Sequence, residues 1–318
     1  MVNWKLSDII LLKSDMKVAI TGATGFLGKY LVNYLKNLAY NVLVVARAEE
    51  NANICFLNEV AVYKTDYTVE SLVNGLKGAD VVIHLVAQTM QRDTNPFRVS
   101  DFFPVNVGVI ENVLIASYQA EVKAVYQMSS NSVYSLMNKL PFREEESPVP
   151  STIYGVSKLY AEKLGEYISS KIPLKVVSLR LARLFGYGER DSVVFTKYMK
   201  LAVDKKCLEV WGEGKTSIEY LYVRDVVAAI EMAVRSDIPG GSYNVGCNCS
   251  YSVLEVAETI NRVTGNVNNL ILDRTKQEGN YHILMDSSKF CNATGWKSAW
   301  HLEDAIRDMF KSYQDDRK

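Results

Sequence analysis

No charge of one sign dominates this sequence: Lys plus Arg is 36 and Asp plus Glu is 36. A nucleic-acid binder carries a basic balance or basic blocks, and neither is present. Cysteine is scarce and odd in number, five residues (Cys55, Cys207, Cys247, Cys249 and Cys291) in a chain of 318. A secreted disulfide framework needs a denser, even set, so the count fits a reducing compartment. Cys247 and Cys249 form a lone C-x-C with no second pair and no nearby His, which argues against a metal site. Long apolar runs are also missing. Ile9-Ile10-Leu11-Leu12 follows Asp8 and is far shorter than a secretory h-region, so it does not read as a signal peptide. No segment reaches the length of a membrane span. These absences predict a cytoplasmic protein with no nucleic-acid or membrane partner, and a short N-terminal arm over residues 1–15.

What the chain does have is a repeating alternation. With 48% hydrophobic residues it can bury a sizeable core. Lys17-Val18-Ala19-Ile20 is a short apolar run that enters a turn at Thr21-Gly22. Similar runs occur over 42–45, 60–63, 81–85, 122–128 and 174–179. Helical periodicity fills the stretches between them, over about 68–77, 104–119 and 152–170. Continuous apolar strands alternating with helices predict a parallel sheet covered on both faces, an α/β Rossmann doubly wound fold. After residue 185 the pattern loosens into helices (191–204, 224–235, 252–264, 287–294, 302–312) mixed with short strands near 208–211, 217–222 and 242–245. The expected organisation is a nucleotide-binding domain over 16–185 and a smaller C-terminal α/β substrate-binding lobe over 186–318, interwoven with the first.

Two motifs carry chemistry. Thr21-Gly22-Ala23-Thr24-Gly25-Phe26-Leu27-Gly28 lies between the first strand and the first helix. In that setting Gly22 permits a tight turn, Gly25 lets backbone approach a pyrophosphate, and Gly28 lets helix and sheet pack closely. The helix N-terminus offers free N–H groups to the phosphates. Farther on, Tyr154-Gly155-Val156-Ser157-Lys158 places a phenol and an ammonium one helical turn apart. A phenol ordinarily ionises near ~10. A fixed ammonium nearby is expected to lower that value and make Tyr154 an acid or base.

The G-x-x-G-x-x-G spacing, the Y-x-x-x-K motif and several further segments resemble the extended short-chain dehydrogenase/reductase family of nucleotide-sugar epimerases and dehydratases, over about 16–310. His84-Leu85-Val86-Ala87-Gln88 and Asn106 resemble its ribose-side segment and its central-helix Asn. The resemblance implies cofactor contacts at Gly22, Thr24, Gly25, Phe26, Leu27, Gly28, Arg47, Asp66, Tyr67, Leu85, Ala87 and Lys158, and catalysis by Ser130, Tyr154 and Lys158. Hydride transfer at a carbinol or carbonyl carbon is the implied reaction. The second strand ends Val45-Ala46-Arg47 with no acid to bind a ribose diol. An Arg there can pair with a 2′-phosphate, so NADP is favoured over NAD.

The substrate the resemblance implies is a nucleotide-linked sugar, bound by Ser130, Asn131, Ser132, Tyr154, Arg183 and the neighbourhood of Ile218. Asn131 and Ser132 stand where a dehydratase has carboxylates, which sets dehydration aside. With NADP favoured, reduction of a 4-keto-6-deoxy sugar nucleotide ranks first and 4-epimerisation with tightly bound NAD second. Arg183 replaces the family's nucleotide-contacting Asn, and Ile218 replaces a diphosphate-contacting Arg. Those departures keep open a reductase of a non-nucleotide carbonyl, or a non-catalytic nicotinamide sensor. The family also implies a homodimer formed through the helices beginning near Pro104 and Thr152.

Overall fold

The computed structural model describes residues 16–47, 60–90, 95, 97–190 and 194–317. The predicted N-terminal arm, Cys55 and the first residues of the helix expected from 191 lie outside them. The first half alternates strand and helix: β1 (Lys17–Thr21), α1 (Phe26–Asn37), β2 (Asn41–Arg47), β3 (Ala61–Thr65), α2 (Val69–Leu76) and β4 (Val81–His84). There follow a π-helical turn (Pro104–Gly108), α3 (Val109–Gln119), β5 (Ala124–Ser130), a 3-10 turn (Asn131–Val133), α4 (Ile153–Ser169) and β6 (Lys175–Leu181). Val18, Ile20, Val44, Val82 and Ile83 are wholly buried, as strands covered on both faces must be.

The second half is built from shorter pieces: β7 (Arg183–Phe185), α5 (Val194–Val203), β8 (Leu208–Trp211), β9 (Ser217–Ile218), β10 (Tyr220–Tyr222), α6 (Val223–Arg235) and β11 (Gly241–Val245). Then come β12 (Tyr251–Ser252), α7 (Val253–Thr264), β13 (Leu270–Asp273), β14 (His282–Ile283), α8 (Ser288–Thr294) and α9 (Leu302–Asp315). The stretch expected as one strand over 217–222 is two. Ser217–Ile218 pairs with β12 and β14, and Tyr220–Tyr222 pairs with β7.

Seven strands form the main sheet in the order β11-β6-β5-β4-β1-β2-β3, every neighbour parallel. The fold is therefore the Rossmann-type α/β sheet expected. Its last strand comes from beyond residue 185, so the lobe begins and the chain then returns to complete the sheet. β2 and β4 flank β1 on opposite sides, which makes the carboxyl end of β1 a topological switch point, where such sheets bind ligands. Apolar clusters cover both faces of the sheet. A third cluster, with Phe195, Leu208, Tyr220, Ile260 and Ile306, is the core of the lobe. It reaches Phe26 and Leu27 at the start of α1, so the lobe packs directly against the helix beside the switch point.

Candidate functional site

The glycine loop leaves β1 at the switch point. Gly22 has φ +75, and a Cβ there would lie 2.8 Å from the Val86 nitrogen. At Gly28 a Cβ would lie 2.4 Å from the Gly22 oxygen and 2.5 Å from the Ala23 Cα, so only glycine lets α1 approach its own loop. Gly25 is exposed and meets only the Gly22 oxygen, at 3.3 Å. No side chain caps the N-terminus of α1 and no acidic residue occupies its first turn. A bare helix N-terminus over a glycine shelf fits a pyrophosphate. Thr24, Phe26 and Leu27 flank this shelf half-buried, and Leu85 and Ala87 continue from β4 beside it.

Two expected cofactor contacts are placed differently from the rest. The Asp66 carboxylate is exposed and accepts hydrogen bonds from the Thr68 backbone N–H (2.9 Å) and hydroxyl (2.7 Å), which lower its pKa. Tyr67 turns its ring into the core, its hydroxyl donating to the Val45 carbonyl at 3.3 Å. Its backbone is left-handed, at φ 64, and its carbonyl accepts from Asn112 at 2.9 Å.

The Tyr, Lys and Ser of the sequence meet at the end of β5. Thr152 caps α4 by accepting a hydrogen bond from the Gly155 N–H at 3.0 Å, which fixes where the helix starts. Gly155 then touches the 3-10 turn: a Cβ on it would sit 2.0 Å from the Ser132 oxygen. This contact packs the start of α4 on the turn after Ser130, whose hydroxyl favours the ionised form of Tyr154. The Ser130 hydroxyl also donates toward Asn131 Oδ1 (3.3 Å) and Ser132 Oγ (3.2 Å), and accepts from the Ser132 N–H (3.1 Å). Lys158 is buried with its Nζ donating to the Met128 carbonyl at 2.8 Å, 5.9 Å from the centre of the Tyr154 ring.

The electrostatics differ from the sequence expectation. Burial raises the Tyr154 pKa, and the influences that lower it are the Ser130 hydrogen bond and the charges of Arg183 and Arg190. Burial also pushes Lys158 down to about 8, with Glu162 pulling the other way. His84, sealed beneath the site against Thr21 (Nδ1 to Oγ1, 2.8 Å), is driven down to about 3 and stays neutral.

Asn106 organises the floor. Its Oδ1 accepts from the Gln88 N–H at 2.7 Å, and its Nδ2 donates to the Gln88 carbonyl (2.9 Å) and Ser157 Oγ (3.0 Å). One residue thereby ties the loop after β4 to α4.

On the lobe side, Arg183 is exposed at the start of β7, in register with Tyr220 of β10. Ile218 is half-buried and packs against the lobe core. Glu189 belongs to this side too and escaped the sequence reading. One of its oxygens is buried with no hydrogen-bond partner, and burial pushes the carboxyl up to about 7 against the pull of Arg183 and Arg190. Among the described residues no group of His, Cys, Asp and Glu could hold a metal ion.

A family model described as the NAD dependent epimerase/dehydratase family matches residues 18–246. The chain belongs to that family. In structure it is similar to the UDP-N-acetylglucosamine 4-epimerase from Bacillus cereus, at 28% identity and a TM-score of 0.84, covering 94% of this chain and 96% of that one. It is also similar to MoeE5 in complex with UDP-glucose and NAD, at 25% identity and a TM-score of 0.80, covering 95% and 100%. A curated relative, the dTDP-4-dehydro-6-deoxy-D-allose reductase of Streptomyces sp, is 27% identical over 86% of this chain and 88% of its own.

Membership corrects one expectation. The family is NAD-dependent and the MoeE5 complex holds NAD, so the preference for NADP drawn from Arg47 does not stand. The physical reason is that an exposed guanidinium at the end of β2 is not specific to a 2′-phosphate, because its flat face can equally lie against a ring. The glycine shelf and uncapped helix fit NAD without any contribution from Arg47.

Proposed function

We propose that the protein interconverts the C4 epimers of a nucleotide-linked sugar, with NAD held over Gly22, Gly25 and Gly28. The observation that carries this reading is the make-up of the turn beside Tyr154: among the described residues it offers the hydroxyls of Ser130 and Ser132 and the amide of Asn131, and no carboxylate. Eliminating water across two carbons needs a further acid and base. Oxidising and re-reducing one carbon needs a single group that takes a proton and gives it back.

NAD supplies the acceptor and donor of the hydride. Tyr154 takes the proton of the C4 hydroxyl as the carbonyl forms and returns it on reduction, so no net acid or base is consumed. Ser130 donates a hydrogen bond to the same oxygen and steadies the charge that develops there. Lys158 contributes a fixed positive charge beneath the phenol and binds the nicotinamide ribose. Asn131 and Ser132 hold sugar hydroxyls, and Arg183 meets the anionic nucleotide. The 4-epimerase from Bacillus cereus and the UDP-glucose complex of MoeE5 support a UDP-sugar as the first substrate to try.

The 4-keto reductase that ranked first on sequence rested on NADP, and with NAD as the cofactor it ranks second. The likeness to the Streptomyces reductase keeps it in view. Incubation with UDP-glucose and UDP-N-acetylglucosamine separates the two. Exchange of epimers without net oxidation or reduction of NAD is the expected outcome. Stoichiometric cofactor oxidation with a 4-keto-6-deoxy sugar nucleotide, and no exchange, would overturn the epimerase reading in favour of the reductase. Failure to bind UDP, dTDP, CDP or GDP would favour a non-nucleotide carbonyl substrate instead.

A further inference from the structure

Beneath the site lies an ion pair that the chemistry above does not use. Glu162 and Arg180 are 1% and 2% exposed. Arg180 donates to both carboxylate oxygens, through Nε at 3.0 and 3.1 Å and through a terminal nitrogen at 2.7 Å. Ser129 also donates to Glu162, and Ser242 does so at 3.3 Å. Arg180 is held in turn by the Tyr134 hydroxyl at 2.6 Å, which reaches Asn244 at 3.0 Å. Buried pairs of this kind are poor stabilisers, because desolvating two charges offsets most of their attraction. Stability alone therefore gives little reason for charge here.

Position gives a better one. Glu162 is one helical turn after Lys158 on α4, as Lys158 is one turn after Tyr154, so the three share a face. Ser129, which Glu162 grips, directly precedes Ser130 on β5. We propose that Glu162 is a positioning residue: fixed by Arg180, Ser129 and Ser242, its carboxylate keeps the charge on Lys158 and locks α4 to the strand that carries Ser130. This inference rests on the roles given above to Tyr154 and Lys158.

The charged and titratable groups facing Lys158 are few. From α4 they are Tyr154 and Glu162. From β4 there is His84, which is neutral. From β5 the Met128 carbonyl accepts from Lys158, and Arg180 of β6 stands behind Glu162. Among the described residues Glu162 is the one anion in this set. Without it, a buried ammonium would have a neutral His, a neutral phenol and a like-charged guanidinium for company.

The test is the titration of Lys158 in the cofactor-free protein, followed by the ¹³Cε lysine resonance that disappears in Lys158→Met. In Glu162→Gln its midpoint should fall by about one pH unit or more, because the opposing charge is gone while burial remains. Glu162→Asp, which keeps the charge, should hold the midpoint near that of the wild type. The alkaline limb of kcat should move to lower pH in the Gln variant, in step with the resonance and with KM little changed. If the Gln variant fails to fold, the double variant Glu162→Met/Arg180→Met is compared with Arg180→Met alone, and Lys158 should titrate lower in the double variant, which alone lacks the carboxylate. An unmoved Lys158 titration in a folded variant overturns the proposal. Activity retained by Tyr154→Phe would instead overturn the catalytic assignment, which the resonance does not report.

Discussion

At Tyr154 two influences oppose each other: burial holds the proton on, and the Ser130 hydrogen bond with Arg183 and Arg190 draws it off. The groups that lower the phenol are therefore Ser130 and two arginines, and not Lys158 as the helical spacing led one to expect. Tyr154→Phe keeps the ring and its packing, so NAD affinity should stay at the wild-type level while kcat drops by about 10²–10⁴, the usual contribution of a positioned acid–base group. Fluorescence titration with NAD beside a turnover assay reads both. Arg183→Ala should act on binding as well as on the phenol, raising the KM for a nucleotide sugar by about ten- to a hundredfold through loss of a charged hydrogen bond. An unchanged KM would take Arg183 out of the substrate site. The tyrosine, the lysine and the glycines were legible in the sequence because their spacing obeys local rules, helical periodicity in one case and turn geometry in the other. Tyr67, Glu189 and the Glu162–Arg180 pair were not, since burial and distant partners decide what those side chains do.

Among the elements, α4 and the 3-10 turn after β5 meet at one backbone contact. Gly155→Ala puts a Cβ 2.0 Å from the Ser132 oxygen, so the helix must move away and carry Tyr154 from Ser130. The expected result is a folded protein destabilised by about 1–3 kcal/mol, as overpacked sites are, with kcat reduced more than KM is raised. Denaturant unfolding with steady-state kinetics checks it, and wild-type kcat would show that this contact does not set the geometry. The region before α3 shows what periodicity misses. Residues 104–119 read as one helix, yet Pro104–Gly108 is a π-helical turn. Its wider winding goes with Asn106 reaching Gln88 and Ser157 together. The strands of the first half were readable as apolar runs because both their faces are covered. The two- and three-residue strands of the lobe were not, because segments that short carry no period.

For the whole molecule, a buried neutral histidine makes stability depend on pH. The folded His84 has its pKa depressed to about 3 from 6.5. The unfolded chain takes up a proton below its own, higher pKa while the folded chain does not. The contribution of His84 is therefore present above about 6.5 and is lost as pH falls toward 3, by up to about 1.4 kcal/mol per pH unit. Urea midpoints of the wild type and His84→Gln should converge as pH is lowered from neutral toward about 4. Parallel curves would contradict this. No helix among the described residues is long and apolar enough to cross a membrane. Tyr118, Tyr160 and Tyr167 on α3 and α4 are exposed, on the helices through which the family resemblance implied a homodimer; sedimentation at the mass of two chains would bear that out and at the mass of one would overturn it. The central claim, that Tyr154 and one retained NAD oxidise and re-reduce a single carbon, is tested most directly with a UDP-sugar deuterated at C4. The account predicts that the wild type forms the C4 epimer with the label still at C4 and no net NADH, and that Tyr154→Phe forms none. Loss of the label to the medium, or epimer formed by Tyr154→Phe, would contradict it.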